Sequence, residues 1–181
     1  MTAAQADLQD RFLEMPEGLR IDRPEVADGA ALWRIARDSR TLDLNSSYSY
    51  LLWCRDFAGT SAVARDGRGR PVGFVTGYLR PERPDTLVVW QVAVDAAYRG
   101  RGLAAALLDG LTARLARGGG PAPTVLETTV TPGNTASERL FASYARRHGA
   151  RLEREVLFAA GLFPDGAHDA EVLHRIAPLP R

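Results

Sequence analysis

The stretch Val88 to Leu108, VVWQVAVDAAYRGRGLAAALL, constrains the whole chain, because an apolar run, a glycine pair and an amphipathic run follow one another without a break. Val88, Val89, Trp90, Val92 and Val94 are β-branched or aromatic and lack helical spacing, as a strand covered on both faces requires. Leu103, Leu107, Leu111 and Leu115 then recur every fourth residue, with Ala104 and Leu108 beside them, which predicts a helix with one apolar stripe. This order puts Arg99-Gly100-Arg101-Gly102-Leu103-Ala104 at a helix N-terminus. Gly100 and Gly102 let the backbone turn sharply and let a ligand come close to it, while the first amide N–H groups of the helix are unpaired and carry partial positive charge. Such a turn can bind a phosphate or pyrophosphate. By itself it reads equally well as a plain tight turn.

Two familiar phosphate loops do not fit. A P-loop needs Lys and Ser or Thr after its last glycine, and Gly102 is followed by Leu103 and Ala104. A dinucleotide fingerprint needs an acidic residue about twenty positions on, and none stands there.

What the arrangement resembles is the acetyl-CoA motif of the GNAT acetyltransferase superfamily, Arg/Gln-x-x-Gly-x-Gly/Ala, here Arg99, Gly102 and Ala104. The resemblance implies an α/β (α+β) fold in which a mixed central sheet, flanked by helices, holds acetyl-CoA between splayed central strands. It further implies that the turn from Arg99 through Gly100, Arg101, Gly102 and Leu103 to Ala104 holds the CoA pyrophosphate, and that the backbone of Val92 and Val94 pairs with the pantetheine arm. A second landmark of the superfamily, an Asn opening the next-but-one helix, is Asn134 in PGNTAS.

Composition narrows the chemistry. All 23 basic residues among the 181 are arginine, so lysine Schiff-base and lysine general-base chemistry are excluded. The net charge of +1 gives no support to a nucleic-acid surface. Cys54 is the only cysteine, which rules out an internal disulfide and a cysteine zinc site, and His148, His168 and His174 lack the short spacing of a metal pair. No metal is expected. Residues 1–17 read as a leader ahead of a single domain from 18 to 181, without the apolar core of a signal peptide, and no run reaches membrane-spanning length. The expected location is the cytoplasm.

In chain order, a strand from Leu19 to Asp22 precedes a helix with an apolar face at Ala27, Ala30, Ala31, Leu32, Ile35 and Ala36. Asn45 or Ser46 can cap a second helix that runs to Phe57. Ser61 to Arg65 and Val72 to Leu79 predict strands around the turn Asp66 to Pro71, and Pro81 and Pro84 mark the turn before the central strand. Val125 to Val130 is the next strand, Asn134 to His148 a helix, and Leu152 to Ala159 and Glu171 to Ile176 the last strands.

Three segments, TLDLNSSYSYLL, PERPDTLVVWQVAV and LETTVTPGN, resemble a narrower family, the diaminobutyrate acetyltransferases of the ectoine pathway, from residue 20 to residue 177. That resemblance implies direct acetyl transfer from acetyl-CoA to the γ-amine of L-2,4-diaminobutyrate, by an enzyme that can be a homodimer. From the residues themselves, Asp43 stands five positions before Tyr48 at a loop-to-helix junction, where an acid suits an ammonium substrate or else caps the helix. Trp90 can wall a substrate or fill core. Glu127 shares a strand face with Val125 and Thr129, and is a candidate base or amine contact, or a surface residue. Tyr48 and His168 are further proton-handling candidates. The superfamily often carries Tyr seven residues after the Asn as proton donor to the CoA thiolate; here that position is Phe141, with Tyr144 one turn beyond. Cys54 reads as a buried structural thiol. Rival readings are an acetyltransferase for a protein N-terminus, polyamine or drug amine, and a CoA-binding module without turnover.

Overall fold

The computed structural model describes residues 18–120, 122–164 and 168–180, so the expected leader lies outside the described residues. The elements follow the predicted order: β1 (Arg20–Asp22), α1 (Gly29–Ser39), α2 (Ser47–Asp56), β2 (Ala62–Arg65), β3 (Pro71–Arg80), β4 (Arg83–Val94), α3 (Leu103–Arg117), β5 (Val125–Val130), α4 (Thr135–Arg147), β6 (Arg151–Phe158) and β7 (Glu171–Ala177). The strands form one sheet in the order β1-β2-β3-β4-β5-β7-β6. Every neighbouring pair is antiparallel except β4 and β5, which run parallel.

Helices cover both faces because the strands alternate. On β2, Ala62 and Ala64 point to a core shared with Leu103, Leu107, Leu108 and Leu111 of α3 and Phe141, Tyr144 and Ala145 of α4. Val63 between them joins Phe74 and Ala93 in a second core with Leu32, Ile35 and Ala36 of α1 and Tyr50 and Cys54 of α2. The leucine stripe of α3 is thus one wall of the larger core, each fully buried leucine contributing about 1.5–3 kcal/mol. Ion pairs lock the helices in place. Arg65 donates two hydrogen bonds, both 2.8 Å, to buried Asp28 ahead of α1. Asp109 of α3 accepts from Arg147 (2.6 Å) and pairs with His148 (2.9 Å) at the end of α4.

Two features of β4 depart from the sequence expectation. The turn before it is shorter, and Pro84 lies inside the strand; proline's missing N–H is tolerated because the β3–β4 register jumps between Leu79 and Arg80, leaving Pro84 without a rung. The strand is also not covered evenly, since Trp90 is 51% exposed. The register jumps between Thr76 and Gly77, whose partners are Gln91 and Val89, so Trp90 is the extra residue of a β-bulge.

Gly77 makes that bulge possible: a Cβ there would lie 2.6 Å from the Val88 carbonyl oxygen and 3.3 Å from that of Thr60. Gly77→Ala should therefore cost about 1–3 kcal/mol, read as a lowered thermal midpoint of the purified variant.

Candidate active site

β4 and β5 share three rungs, Thr86–Val125, Leu87–Leu126 and Val88–Glu127, and then part. Divergence exposes one edge of β4. Because the Asp95 N–H donates to the Val72 carbonyl on the β3 side (2.8 Å), strand alternation turns the N–H and C=O groups of Val94 and Val92 the other way, toward the opening. Arg99 Nε takes the Val94 carbonyl at 3.1 Å.

The opening holds two joined chambers. One, of about 220 Å³, runs along Val92, Ala93 and Val94 to Arg99 and Ala104, with Asn134, Ser137 and Leu140 opposite. The other, of about 240 Å³, lies between Val89 to Val92 and Thr128 to Thr131, and is closed by Asp43, Phe158, Phe163, His168 and Glu171. At the far end of the first chamber the predicted turn leads into α3. Gly100 and Gly102 have φ of +75° and +74°, and a Cβ on either would stand in open space. Only the Ala106 N–H closes back onto Gly102 (3.0 Å), so the N–H groups of Leu103 and Ala104 are among the free donors of the helix start. Backbone donors and open space together fit a pyrophosphate. The Leu103 side chain is buried in the core, so this residue offers the turn its backbone alone. The Arg101 guanidinium lies over the Tyr98 ring at 5.4 Å. Asn134 caps α4, its Oδ1 accepting from the Ser137 N–H at 3.1 Å.

The second chamber gathers charge. His168 donates from Nε2 to Asp43 Oδ2 (3.0 Å) and from Nδ1 to the Asp169 carbonyl (2.7 Å), while Glu171 Oε1 stands 3.8 Å from the same Nε2. Both ring nitrogens face acceptors, which suits the imidazolium, and the Asp169 carbonyl first and the Asp43 carboxylate second hold its pKa above the ordinary histidine value. Phe163 stacks on the ring at 4.0 Å. The ligand atoms of Asp43, His168 and Glu171 lie within 4.8 Å of one another, a cation-seeking cluster that an ammonium group satisfies. Gln91 ties this corner to the core: its amide donates to the Asp43 carbonyl (2.8 Å) and its oxygen accepts from buried Tyr50 (2.9 Å). Trp90 stands at the rim, stacked on Trp53 at 6.1 Å.

Not every expected residue meets there. Tyr48 is 64% exposed on α2 and lies outside the chamber lining, whereas Tyr50 points inward. Glu127 is 2% exposed on the last rung before the strands part, its carboxylate facing Arg80 (2.9 Å), Arg83 (3.5 Å) and Arg175 (3.7 Å). To serve as a base or amine contact it must give up an arginine. The Tyr144 hydroxyl donates to Thr112 (3.1 Å) inside the α3–α4 core, and burial pushes its pKa up. Phe141 lines the second chamber without a polar atom. Burial pushes the Cys54 thiol up to about 11, which suits a structural thiol. Gln91, Glu171 and Ser137 escaped the sequence reading, although a lone Gln in an apolar strand and an acid three residues after His168 were signals that could have found the first two.

A strand-turn-helix anion site opening along a splayed sheet is acetyltransferase architecture, and residues 29–145 match the acetyltransferase (GNAT) family. The L-2,4-diaminobutyric acid acetyltransferase of Streptomyces avermitilis is 78% identical over 179 residues, covering 99% of both chains. That of Streptomyces coelicolor is 70% identical over 179 residues, covering 99% of this chain and 98% of its own. The chain belongs to the GNAT acetyltransferases and, within them, to the family of these diaminobutyric acid enzymes. Among solved structures, the diaminobutyrate acetyltransferase of Paenibacillus lautus, in complex with L-2,4-diaminobutyric acid and coenzyme A, shares 39% identity and a TM-score of 0.83 over 90% of this chain and 96% of its own. Among the described residues, no helix is long and apolar enough to cross a membrane.

The turn makes a direct prediction. A β-branched residue at a φ of +74° is strained by roughly 1–2 kcal/mol and puts bulk into the cradle. Folded Gly102→Val should bind acetyl-CoA at least about tenfold more weakly by titration calorimetry.

Proposed function

We propose that this enzyme transfers the acetyl group of acetyl-CoA to the γ-amine of L-2,4-diaminobutyrate. The observation that carries this reading is a carboxylate-lined chamber opening onto the unpaired edge of β4, where a cationic amine and an acyl carrier can meet. Its relatives, named for diaminobutyrate, supply the identity of the amine.

In this reading the turn from Arg99 to Ala104 takes the pyrophosphate, and the outward backbone of Val92 and Val94 takes the pantetheine arm. The Val92 N–H polarises the thioester carbonyl as negative charge develops on its oxygen. Asp43 and Glu171 hold the α-ammonium, and Trp90 forms the wall.

A γ-amine resembling lysine, with a pKa near ~10.4, is unprotonated in only about one molecule in a few thousand at pH 7, so a proton acceptor is required. His168 faces this chamber, but its resting contacts favour the protonated ring. Substrate solves this. An ammonium that engages Asp43 competes with His168 for the carboxylate, removes one of the contacts that raise the imidazole's pKa, and leaves His168 readier to lose its proton and then accept that of the γ-amine. Glu127, held among three arginines, anchors the rung from which the strands diverge.

The α-amine of diaminobutyrate is the easier of its two amines to deprotonate, so γ-transfer has to come from geometry. Mass spectrometry and NMR of the product formed from acetyl-CoA and L-2,4-diaminobutyrate should show a single acetyl group, on the γ-nitrogen; acetylation mainly at the α-nitrogen, or no product, would overturn the reading.

Asp43→Asn should lower kcat/KM for diaminobutyrate about ten- to a hundredfold, the worth of a charge-assisted contact, and relax γ-selectivity. A base with a raised pKa gains activity as pH rises through that pKa. Loss of the Asp43 charge lowers the pKa of His168, so the acid limb of kcat/KM against pH should move to lower pH in the variant.

A further inference from the structure

Acetyl transfer from sulfur leaves a thiolate, and the reaction proposed above therefore needs a group that meets charge at the sulfur. The sulfur must lie where the two chambers join, because the carrier occupies one and the amine the other. Thr41, Leu42, Val92, Asn134 and Ser137 line both. On α4 the cleft-facing residues Asn134, Ser137 and Phe141 follow helical spacing, so they form one stripe past the junction. Phe141 offers sulfur no donor, and the Tyr144 hydroxyl is engaged by Thr112. Of the other hydroxyls, Thr128, Thr129 and Thr131 line the second chamber alone, Ser39 lines the first alone and donates to the Ala36 carbonyl (2.7 Å), and only Thr41 and Ser137 line both. Thr41 stands on the exposed loop after α1. Ser137 is half-buried in the first turn of a capped helix, where the partial positive charge of the helix start adds to its own O–H dipole.

We propose that the Ser137 hydroxyl is the hydrogen-bond donor to the departing CoA sulfur. The γ-nitrogen lone pair forms the N–C bond, the C–S bond breaks, and its electron pair stays on sulfur. His168 takes the ammonium proton before attack, and the second proton, shed by the new amide nitrogen, passes to water. A serine hydroxyl is too weak an acid to surrender its proton at neutral pH, so Ser137 keeps it while donating. The thiolate, with an ordinary thiol pKa near ~8.5, takes its proton from water. Ser137 is thus a catalytic residue whose contact strengthens as charge builds on the sulfur.

Ser137→Ala tests the assignment, and alanine's high helix propensity protects the fold. In steady-state kinetics at saturating substrates, kcat should fall about ten- to a hundredfold while KM for acetyl-CoA and diaminobutyrate changes by no more than about twofold. Adding Phe141→Tyr to Ser137→Ala should recover part of kcat, because it puts a phenol one turn on along the same stripe, at the second chamber. Ser137→Thr, which keeps the hydroxyl, should retain most of it. A folded Ser137→Ala with kcat within about twofold of wild type, or a loss confined to KM, overturns the assignment while leaving the function standing. Wild-type enzyme is run in the same assay, and no diaminobutyrate turnover by either protein overturns the functional reading together with the assignment.

Discussion

Everything at the site depends on two parallel strands that pair for three rungs and then separate. Backbone N–H and C=O groups demand partners, and a strand in mid-sheet that loses its neighbour presents a row of them to whatever enters. Here that row belongs to Val92 and Val94, and Arg99 already donates to the Val94 carbonyl. The bulge at Trp90 begins where pairing ends and shifts the facing of the strand, so that Gln91 and Ala93 turn toward α1 and α2. The same distortion brings Trp90 to the cleft rim, half in solvent, among Trp53, Phe57 and Tyr78.

Charge is sorted along the gap with equal economy. At its apex Glu127 is surrounded by arginines from β3, β4 and β7, a cluster that holds the diverging strands to their last common rung. At its mouth Asp43 and Glu171 flank one histidine, which leaves the chamber short of positive charge. The carboxylate at the apex is thus neutralised within the sheet, whereas those at the mouth share one imidazole. His168 is tied to that mouth by the Asp43 carboxylate, which with the Asp169 carbonyl raises the pKa of the imidazole.

The floor of the gap is rigid for a physical reason. Asp109 joins α3 to the end of α4 through Arg147 and His148, and Tyr144 spans the same two helices through Thr112. The glycine turn leads into α3 and Asn134 and Ser137 open α4, so this network sets the distance between those two helix starts. Breaking a buried ion pair of this kind costs about 3–5 kcal/mol, so the two helices are held firmly against each other.

Local signals carried much of this. The spacing of Leu103, Leu107, Leu111 and Leu115 determined α3, the glycines at 100 and 102 determined the turn before it, Asn134 determined one helix start and Asn45 or Ser46 another, which the structure gives to Ser46, and the order of elements followed from periodicity and punctuation. The family was legible in Arg99, Gly102, Ala104 and Asn134 because an anion-binding turn is a local object, built from consecutive residues. The second chamber is not local: Asp43, Gln91, Ser137 and His168 come from four distant segments, and nothing in their spacing says that they converge. Alternation could not say that Trp90 is bulged outward, that Tyr50 and not Tyr48 turns toward the site, or that Glu127 meets three arginines, because each depends on register between strands and on the rotation of a packed helix. Sequence by itself determined the elements and the glycine turn before α3; tertiary structure decided which side chains share the gap, since side-chain direction is set by what each element packs against.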